Sequence, residues 1–386
     1  MNYRPLFHIP APVIFGCGAV AAVADKIREL GCRKPLIVTD KGIAQAGVVK
    51  KLTDVLDAAG ISYVVFDDGV SDPPASVADA AGAAAISAGA DCLIGLGGGS
   101  SMDAAKATAI YMLDPGEVKR YIEPAPIKVE TQVPVILVPT TAGTGSECTS
   151  VAVISRPELN KKWSVFVNTT CAIVDPELTF TLPPYETANT GLDALSHAIE
   201  SLTVNQWNYH SDLFAEGAIR KIWKNLYTAY SEPQDLAARS EMALAANWAG
   251  MAFNNPITHV GHSIADALSC EYHTPHGLGC ALALPEVVTM VAPPYPDRVR
   301  TIANAMELKT SGNETAEQLG TLVAEEIRAL MHRMNVPSLK SLGYDRETVL
   351  SLAQEVVDNH LSTFSPVEIT PELAAKLLAN VYDLYQ

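Results

Sequence analysis

A hydrophobic segment that runs directly into three glycines constrains this chain more than any other feature. Cys92–Leu96 (CLIGL) is followed by Gly97-Gly98-Gly99-Ser100-Ser101, and helix-forming residues come next. Glycines at such a turn let backbone N–H groups approach a phosphate closely, and the helix N-terminus adds partial positive charge. A tight structural turn without a ligand has the same composition. The segment therefore predicts an α/β fold and makes this turn a candidate phosphate-binding loop, with candidate residues Gly97, Gly98, Gly99, Ser100 and Asp103.

Short hydrophobic segments alternate with helical periodicity up to about residue 182. This alternation is typical of βαβ units around a parallel sheet. The predicted strands are Pro35–Thr39, Ile61–Phe66, Cys92–Leu96, Val133–Val138 and Cys171–Val174, and helices are predicted at Val49–Ala59 and Ala75–Ala88.

Beyond Leu182 long helical periodicities dominate and β-branched segments are few. The helices predicted there are Thr187–Leu202, Ser211–Tyr227, Ala237–Phe253, Thr315–Met334, Arg346–Val357 and Pro371–Tyr385. Because 386 residues exceed one ordinary core, two domains are expected. We predict an α/β dinucleotide-binding domain over residues 1–182 and an all-helical domain over residues 183–386.

A second loop rich in threonine and glycine follows the predicted strand Val133–Val138. Its hydroxyl groups suit hydrogen bonds to the same nucleotide, although the loop can also simply turn the chain. Two such loops in one α/β half favour a nucleotide. The candidate residues of this loop are Thr140, Thr141, Thr144 and Ser146.

Asp40 stands at the end of the first predicted strand. A carboxylate there suits a ribose diol and repels a 2′-phosphate, which favours NAD over NADP. An aspartate in a turn before Gly42 is an equally good interpretation of this residue taken alone.

Histidines are concentrated in the second half of the chain. Asp193 and His197 are four residues apart in a helix-forming segment, so both project from one helix face. Four of the nine histidines follow downstream, at His259, His262, His273 and His276. Imidazole and carboxylate groups suit Fe²⁺, Zn²⁺ or another first-row dication. A set of hydrogen-bonded structural histidines is the competing interpretation.

Charge and cysteine content exclude several classes of protein. The net charge of −16 argues against nucleic acid and against anionic membranes, because both require clustered positive charge. Seven scattered cysteines without a CxxC pair suit a reducing compartment. The N-terminal segment lacks the features of a signal peptide, and no apolar segment is long enough for a membrane span. We therefore expect a cytoplasmic enzyme.

Taken together, these segments resemble the iron-containing (group III) alcohol dehydrogenase family. The matching segments, in family order, are Gly97–Ser100 with Asp103 and Lys106, Pro139–Thr141 with Gly143–Glu147, Gly191–Ala194 with His197, Ala249–Phe253, and Pro275–Gly277. The resemblance implies a Rossmann-like N-terminal domain and an all-α C-terminal domain, a fold shared with dehydroquinate synthase-like proteins. It also implies NAD(H), one divalent metal ion (Fe²⁺ first, with Zn²⁺ or Mn²⁺ as alternatives) and a homo-oligomer, a dimer or larger. The metal ligands that it implies are Asp193, His197, His262 and His276.

One position departs from the family pattern. Asp266 stands where the family usually carries a second histidine, thought to relay protons, four residues after the third ligand. Helical spacing keeps Asp266 on the face of His262, so it can still accept a proton. His259 and His273 stand where small or neutral residues are expected, and either can take over the relay or bind an anionic substrate group. The alternative that neither has a functional role stays open. Asp266 and His273 are the predicted catalytic residues.

The resemblance implies reduction of a small aldehyde to a primary alcohol, or the reverse, with NAD(H) and a Lewis-acidic metal. The extra histidines favour an aldehyde that bears an acidic group, such as a semialdehyde or a sulfonated aldehyde. Two alternatives stay open at this point. One is a metal- and NAD-dependent lyase of the dehydroquinate synthase-like fold, and the other is a nucleotide-binding protein without catalysis.

Overall fold

The computed structural model describes residues 2–116, 118–122, 128–129, 133–159 and 161–386. Its strands are β1 Asn2–Tyr3, β2 Val13–Phe15, β3 Pro35–Asp40, β4 Val64–Gly69, β5 Cys92–Gly97, β6 Lys128–Val129, β7 Val135–Pro139, β8 Val151–Arg156, β9 Lys161–Val167, β10 Cys171–Val174 and β11 Gln206–Trp207. Its helices are α1 Ala22–Glu29, α2 Lys41–Gln45, α3 Val48–Ala58, α4 Ala75–Ala88, α5 Gly99–Leu113, α6 Pro184–Thr203, α7 Tyr209–Ser231, α8 Leu236–Phe253, α9 Val260–Tyr272, α10 His276–Val291, α11 Pro296–Ala305, α12 Ala316–Arg333, α13 Arg346–Ser351, α14 Ala353–Asp358 and α15 Pro371–Asp383.

Contacts divide the chain into two compact units, Ile9–Leu182 on one side and Met1–His8 with Pro183–Gln386 on the other. The first eight residues, predicted with the α/β half, therefore belong to the helical unit. The reason is a short parallel pairing of β1 with β11, extended by the Arg4 N–H, which donates to the Trp207 carbonyl at 2.8 Å. This pairing also adds a small sheet to the domain predicted to be all helical.

A six-stranded parallel sheet forms the centre of the α/β unit, in the order β2-β10-β7-β5-β3-β4. Its central strands are hydrophobic without interruption because helices cover both faces. On β3, for example, Ile37 packs in the cluster with α1 and α3, whereas its neighbour Val38 packs in the cluster with α4 and α5. The fold class predicted from the sequence is confirmed.

All five predicted strands are present in this sheet, but Ile61–Phe66 is displaced, since β4 begins at Val64 and ends at Gly69. The sequence pattern does not predict β2, nor the sheet in which β8 pairs antiparallel with β9 and β6 pairs parallel with β9. Charged residues such as Arg156 and Lys162 interrupt the hydrophobic pattern of this second sheet.

The helical unit contains α6 to α15. The predicted helix Arg346–Val357 is two short helices, because α13 ends at Ser351 and α14 begins at Ala353. Three helices, α9, α10 and α11, are not among those predicted, and α10 contains Pro285 in its interior. Among the described residues, no helix is both long and apolar enough to cross a lipid bilayer.

Candidate active site: glycine-rich loops and a carboxylate–imidazole cluster

The glycine-rich loop connects β5 to α5 at the carboxyl edge of the sheet. Gly97 has φ +152°, and a Cβ there would lie 2.6 Å from Ser101 Oγ. A Cβ on Gly99 would lie 2.8 Å from Thr144 Cγ2 in the second loop. The two loops therefore touch, and only glycine fits where they do. Among the residues that the structure describes, no side chain caps the first turn of α5, so the N–H groups there stay available to an anion.

Several hydroxyl groups at this edge have no hydrogen-bond partner among the described residues. The Oγ1 atoms of Thr140 and Thr141 are buried and make no hydrogen bond in the structure. Thr39, at the end of the neighbouring strand β3, has the same property. Buried polar groups without partners are rare in native proteins and usually indicate a ligand or water. Thr144 differs, because its Oγ1 accepts a hydrogen bond from the Ser146 N–H at 3.2 Å.

Asp40 caps a helix and also contacts the glycine-rich loop. Its Oδ1 accepts from the Ile43 N–H at 3.0 Å and so caps α2. Its Oδ2 accepts from Ser101 Oγ at 3.2 Å, which ties the end of β3 to the glycine-rich loop. The carboxylate is thus held at the sheet edge beside the candidate phosphate-binding loop. Ser100, also predicted here, accepts from the Asp72 N–H at 3.3 Å.

The side chains of Asp103 and Ser146 make hydrogen bonds within the α/β unit. Ser146 Oγ donates to Asp103 Oδ1 at 2.6 Å, and the Val153 N–H donates to Asp103 Oδ2 at 2.9 Å. The fully buried Lys106 ammonium donates to the Ser146 carbonyl at 2.7 Å and to the Val151 carbonyl at 2.6 Å. Burial raises the pKa of Asp103 and lowers that of Lys106. These contacts fasten the second loop to α5, and a contact of Asp103 or Ser146 with a cofactor stays a prediction.

Three helices of the helical unit bring four predicted ligands together. Asp193 and His197 lie on α6, His262 on α9 and His276 at the start of α10. The Nε2 atoms of the three histidines each lie 3.9 Å from Asp193 Oδ1. The close approach of α10 to α6 depends on Gly277, where a Cβ would lie 2.9 Å from the carbonyl carbon of Asn189 on α6.

The cluster is buried, and part of it lacks hydrogen-bond partners. Asp193 is 2% exposed, while His197 and His262 are each 4% exposed. Asp193 Oδ1 and His262 Nε2 make no hydrogen bond in the structure. A buried carboxylate oxygen surrounded by imidazole nitrogens fits a divalent cation, because one ion satisfies all of these lone pairs at once.

The local electrostatics differ between the histidines. Burial lowers the pKa of His197 to about 4, which keeps its ring neutral near pH 7. Burial also disfavours charge on His262, but the carboxylate of Glu200 outweighs this effect and raises the His262 pKa. The ring of His197 stacks on Phe253 at a centroid distance of 4.2 Å, which fixes its orientation.

The two predicted catalytic residues lie in different surroundings. Asp266 is half-buried on α9, with Oδ1 3.7 Å from His276 Nδ1 and with Oδ2 accepting from Asn359 Nδ2 at 3.1 Å. Asp266 therefore lies near Nδ1 of the His276 ring, whereas Nε2 of the same ring faces Asp193. His273 is exposed and ends α9 in a left-handed conformation with φ +55°. His259, which the sequence offered for proton relay or substrate binding, is fully buried, and its Nε2 lies 2.9 Å from Thr203 Oγ1.

Two residues of the cluster were missed by the sequence reasoning. Glu200 follows His197 by three residues and contacts His262. Cys280 follows His276 by one helical turn, and its Sγ lies 3.6 Å from His276 Nε2. Its sulfur belongs to a group of possible metal-binding atoms with those of Asp193, His262 and His276, all within 4.8 Å of one another. Helical spacing from the predicted ligands is the signal that would have found both.

The two units therefore define a class: a parallel α/β unit with a nucleotide-type glycine loop, and a helical unit with a carboxylate–imidazole cluster. Comparison with known proteins identifies the family. Residues 10–176 match the family model "Iron-containing alcohol dehydrogenase", and residues 187–382 match "Fe-containing alcohol dehydrogenase family, C-terminal". The chain belongs to the iron-containing alcohol dehydrogenase family, as the sequence resemblance predicted.

Relatives span the whole chain. Lactaldehyde reductase of Escherichia coli K12 is 36% identical over 365 residues, which cover 93% of this chain and 94% of the relative. The structure of 1,3-propanediol oxidoreductase matches with a TM-score of 0.92 at 29% identity, covering 98% of this chain and 99% of that one. Sulfoacetaldehyde reductase from Bifidobacterium kashiwanohense, solved with NAD⁺, matches with a TM-score of 0.89 at 29% identity and 99% coverage of both chains. The chain is accordingly an oxidoreductase of aldehyde and alcohol chemistry.

Proposed function

We propose that the protein uses NAD(H) and one divalent metal ion to reduce a small aldehyde to a primary alcohol, or to catalyse the reverse. The observation that carries this proposal is the convergence of three imidazole Nε2 atoms on the buried, unpartnered Asp193 Oδ1. Family membership supplies the reaction class. Net reduction consumes one aldehyde, one NADH and one proton, so the protein must supply both a nucleotide site and a route for the proton.

The nucleotide site that we propose lies at the carboxyl edge of the parallel sheet. Backbone N–H groups of Gly97–Ser100 and the uncapped start of α5 suit the pyrophosphate. The unpartnered hydroxyls of Thr140 and Thr141 offer further hydrogen bonds, with Thr144 beside Gly99. Asp40 suits the ribose diol of NAD and disfavours the 2′-phosphate of NADP. A relative solved with NAD⁺ supports this preference.

The metal ligands that we propose are Asp193, His197, His262 and His276. Their oxygen and nitrogen donors suit Fe²⁺, with Zn²⁺ and Mn²⁺ as alternatives. When bound, the cation supplies Lewis acidity toward the oxygen of the substrate. Cys280 is not included in this set, because the set is the one that family resemblance implies, although the Cys280 Sγ lies within 4.8 Å of donor atoms of Asp193, His262 and His276.

Asp266 and His273 are the residues that we propose for proton movement. Asp266 contacts His276 from the side opposite to the cluster, so it can orient that ring as well as accept a proton. His273 is exposed and therefore able to exchange protons with solvent. Since His259 is buried against Thr203, the proposal that an extra histidine binds an acidic substrate group now rests on His273 alone.

We further propose a cytoplasmic homo-oligomer, a dimer or larger. No disulfide joins the seven cysteines, all of which lie in the part of the chain that the structure describes, and this suits a reducing compartment. The expectation of an oligomer comes from the family resemblance. Size-exclusion chromatography with light scattering measures the oligomeric state. A monomeric protein at micromolar concentration would contradict the oligomer.

NADH oxidation by protein loaded with Fe²⁺, Zn²⁺ or Mn²⁺, measured over a series of small aldehydes, tests the function. We expect metal-dependent turnover in the wild type and its loss in Asp193→Ala.

Comparing kcat/KM for propanal and succinic semialdehyde tests the preference for an acid-bearing substrate. A strong preference for propanal would contradict that preference. NADH binding without turnover of any aldehyde would contradict the function as a whole, and would favour the non-catalytic alternative or the lyase.

A further inference from the structure

The carboxylate of Glu200 lies beside the donor cluster, on the same helix as Asp193 and His197. Glu200 is only 1% exposed. Its Oε1 accepts a hydrogen bond from His262 Nδ1 at 2.7 Å, and its Oε2 accepts from the backbone N–H of His259 at 2.6 Å. Each carboxylate oxygen thus has its own donor at the start of α9.

These contacts decide which nitrogen of His262 can bind a cation. An ionised carboxylate only accepts hydrogen bonds, so Nδ1 of His262 carries a proton and Nε2 is the nitrogen that offers a lone pair. That Nε2 atom lies 3.9 Å from Asp193 Oδ1 and makes no hydrogen bond. We propose that Glu200 is a positioning residue that holds His262 in the tautomer and orientation required for metal binding. The proposal rests on the metal centre proposed above.

The surroundings of Glu200 are shaped to hold this carboxylate. A Cβ on Gly261 would collide with Glu200 Oε1 and would lie 2.9 Å from Val287 Cγ2. The missing side chain at residue 261 therefore leaves room for the carboxylate. The residue that donates to Oε2 is also fixed, because the His259 ring is fully buried and hydrogen-bonded to Thr203.

Glutamine has the shape of glutamate but cannot replace it here. In Glu200→Gln, the amide offers one acceptor and one NH₂ donor, whereas His259 N–H and His262 Nδ1–H both require an acceptor. A backbone N–H cannot change its role, so it keeps the amide oxygen and the NH₂ group faces His262. The proton of His262 then moves to Nε2, which removes the lone pair from the cluster.

Zn²⁺ titration against a chromophoric chelator, and the visible spectrum of Co²⁺-loaded protein, test this proposal. We expect Glu200→Gln to bind Zn²⁺ roughly 10- to 100-fold more weakly than the wild type, as for other outer-shell partners of ligating histidines. At saturating Co²⁺ its visible spectrum should differ from that of the wild type, which a merely structural role would not require. Glu200→Asp keeps both acceptors and should restore part of the affinity.

The matched control is Glu286→Gln, which removes another buried carboxylate of the helical unit. Glu286 is 3% exposed and contacts Arg328 and Asn380, so its loss should lower thermal stability without changing Zn²⁺ affinity. A folded Glu200→Gln protein with wild-type Zn²⁺ affinity overturns the proposal. If that variant does not fold, Gly261→Ala displaces the same carboxylate, and unchanged Zn²⁺ affinity in it has the same meaning. Equal Zn²⁺ binding by wild type and Asp193→Ala overturns the metal centre itself.

Discussion

Replacing Lys106 by methionine should destabilise the α/β unit and loosen the second nucleotide loop. The Lys106 ammonium is fully buried, lies 3.9 Å from Asp103 Oδ1, and donates to the carbonyls of Ser146 and Val151. Methionine keeps the length of the side chain but removes all of these interactions. The Ser146 carbonyl retains the Thr149 N–H at 3.2 Å, and the Val151 carbonyl retains the Thr149 hydroxyl at 3.3 Å. Most of the penalty therefore comes from the Asp103 charge, which loses its cation.

Removing one partner of a buried ion pair costs about 3–5 kcal/mol. We expect the low end of this range, about 3 kcal/mol, because Asp103 keeps the Ser146 hydroxyl and the Val153 N–H. For a unit of this size that corresponds to a fall of roughly 6–12 °C in Tm. The double variant Lys106→Met/Asp103→Asn removes both charges and should recover part of the loss.

Thermal unfolding and amide hydrogen exchange over β8 measure these effects, and NADH affinity reports on the loop. We expect faster exchange in β8 and weaker NADH binding in Lys106→Met. A single variant within about 0.5 kcal/mol of the wild type would refute the reasoning, since this is the range of ordinary surface substitutions. A double variant less stable than the single variant would refute the assignment of the penalty to Asp103.

Three further predictions concern the two candidate sites. Because the pKa of His262 is raised and that of His197 is about 4, a metal ion competes with a proton more at His262 than at His197. Metal affinity should therefore fall as the pH falls, by about tenfold per unit below the His262 pKa, and a flat profile in calorimetric titrations from pH 8 to 5 would contradict this. Cys280→Ser should retain metal, and the Co²⁺ form of the wild type should lack a sulfur-to-cobalt charge-transfer band; such a band would make Cys280 a ligand. Gly99→Ala should weaken NADH binding, because its Cβ would press on Thr144 and separate the two loops, and unchanged affinity by fluorescence titration would argue against their shared role.

The sequence predicts the parallel sheet well because its signal is local. Each central strand is a continuous hydrophobic segment, and the one at Cys92 ends in glycines that only a strand-to-helix turn requires. The β8–β9 hairpin escapes prediction because its stability comes from packing against residues distant in sequence, such as Ile110 of α5. The pairing of β1 with β11 is likewise non-local, joining residues about 200 positions apart.

The candidate ligands of the metal centre could be predicted from the sequence, but the residues that contact them were missed. Family resemblance implied four candidate ligands, and the structure brings the Nε2 atoms of the three histidines to 3.9 Å from Asp193 Oδ1. Their role as ligands stays a prediction. Glu200 was overlooked because a glutamate on a helix is ordinarily a solvated residue, although its spacing of three residues from His197 points to the same helix face. His259 was offered for the proton relay or for binding an anionic substrate group, yet it is fully buried. Residue type alone does not reveal whether a histidine faces solvent or the core.

Anomalous diffraction from crystals of the Fe²⁺- or Co²⁺-loaded protein tests the central claim most directly. We expect one strong peak in the helical unit, about 2.0–2.2 Å from Asp193 Oδ1 and from the Nε2 atoms of His197, His262 and His276. The peak should be absent in Asp193→Ala. A peak bound by the sulfur of Cys280 in place of His197, or one located away from Asp193, would contradict the account.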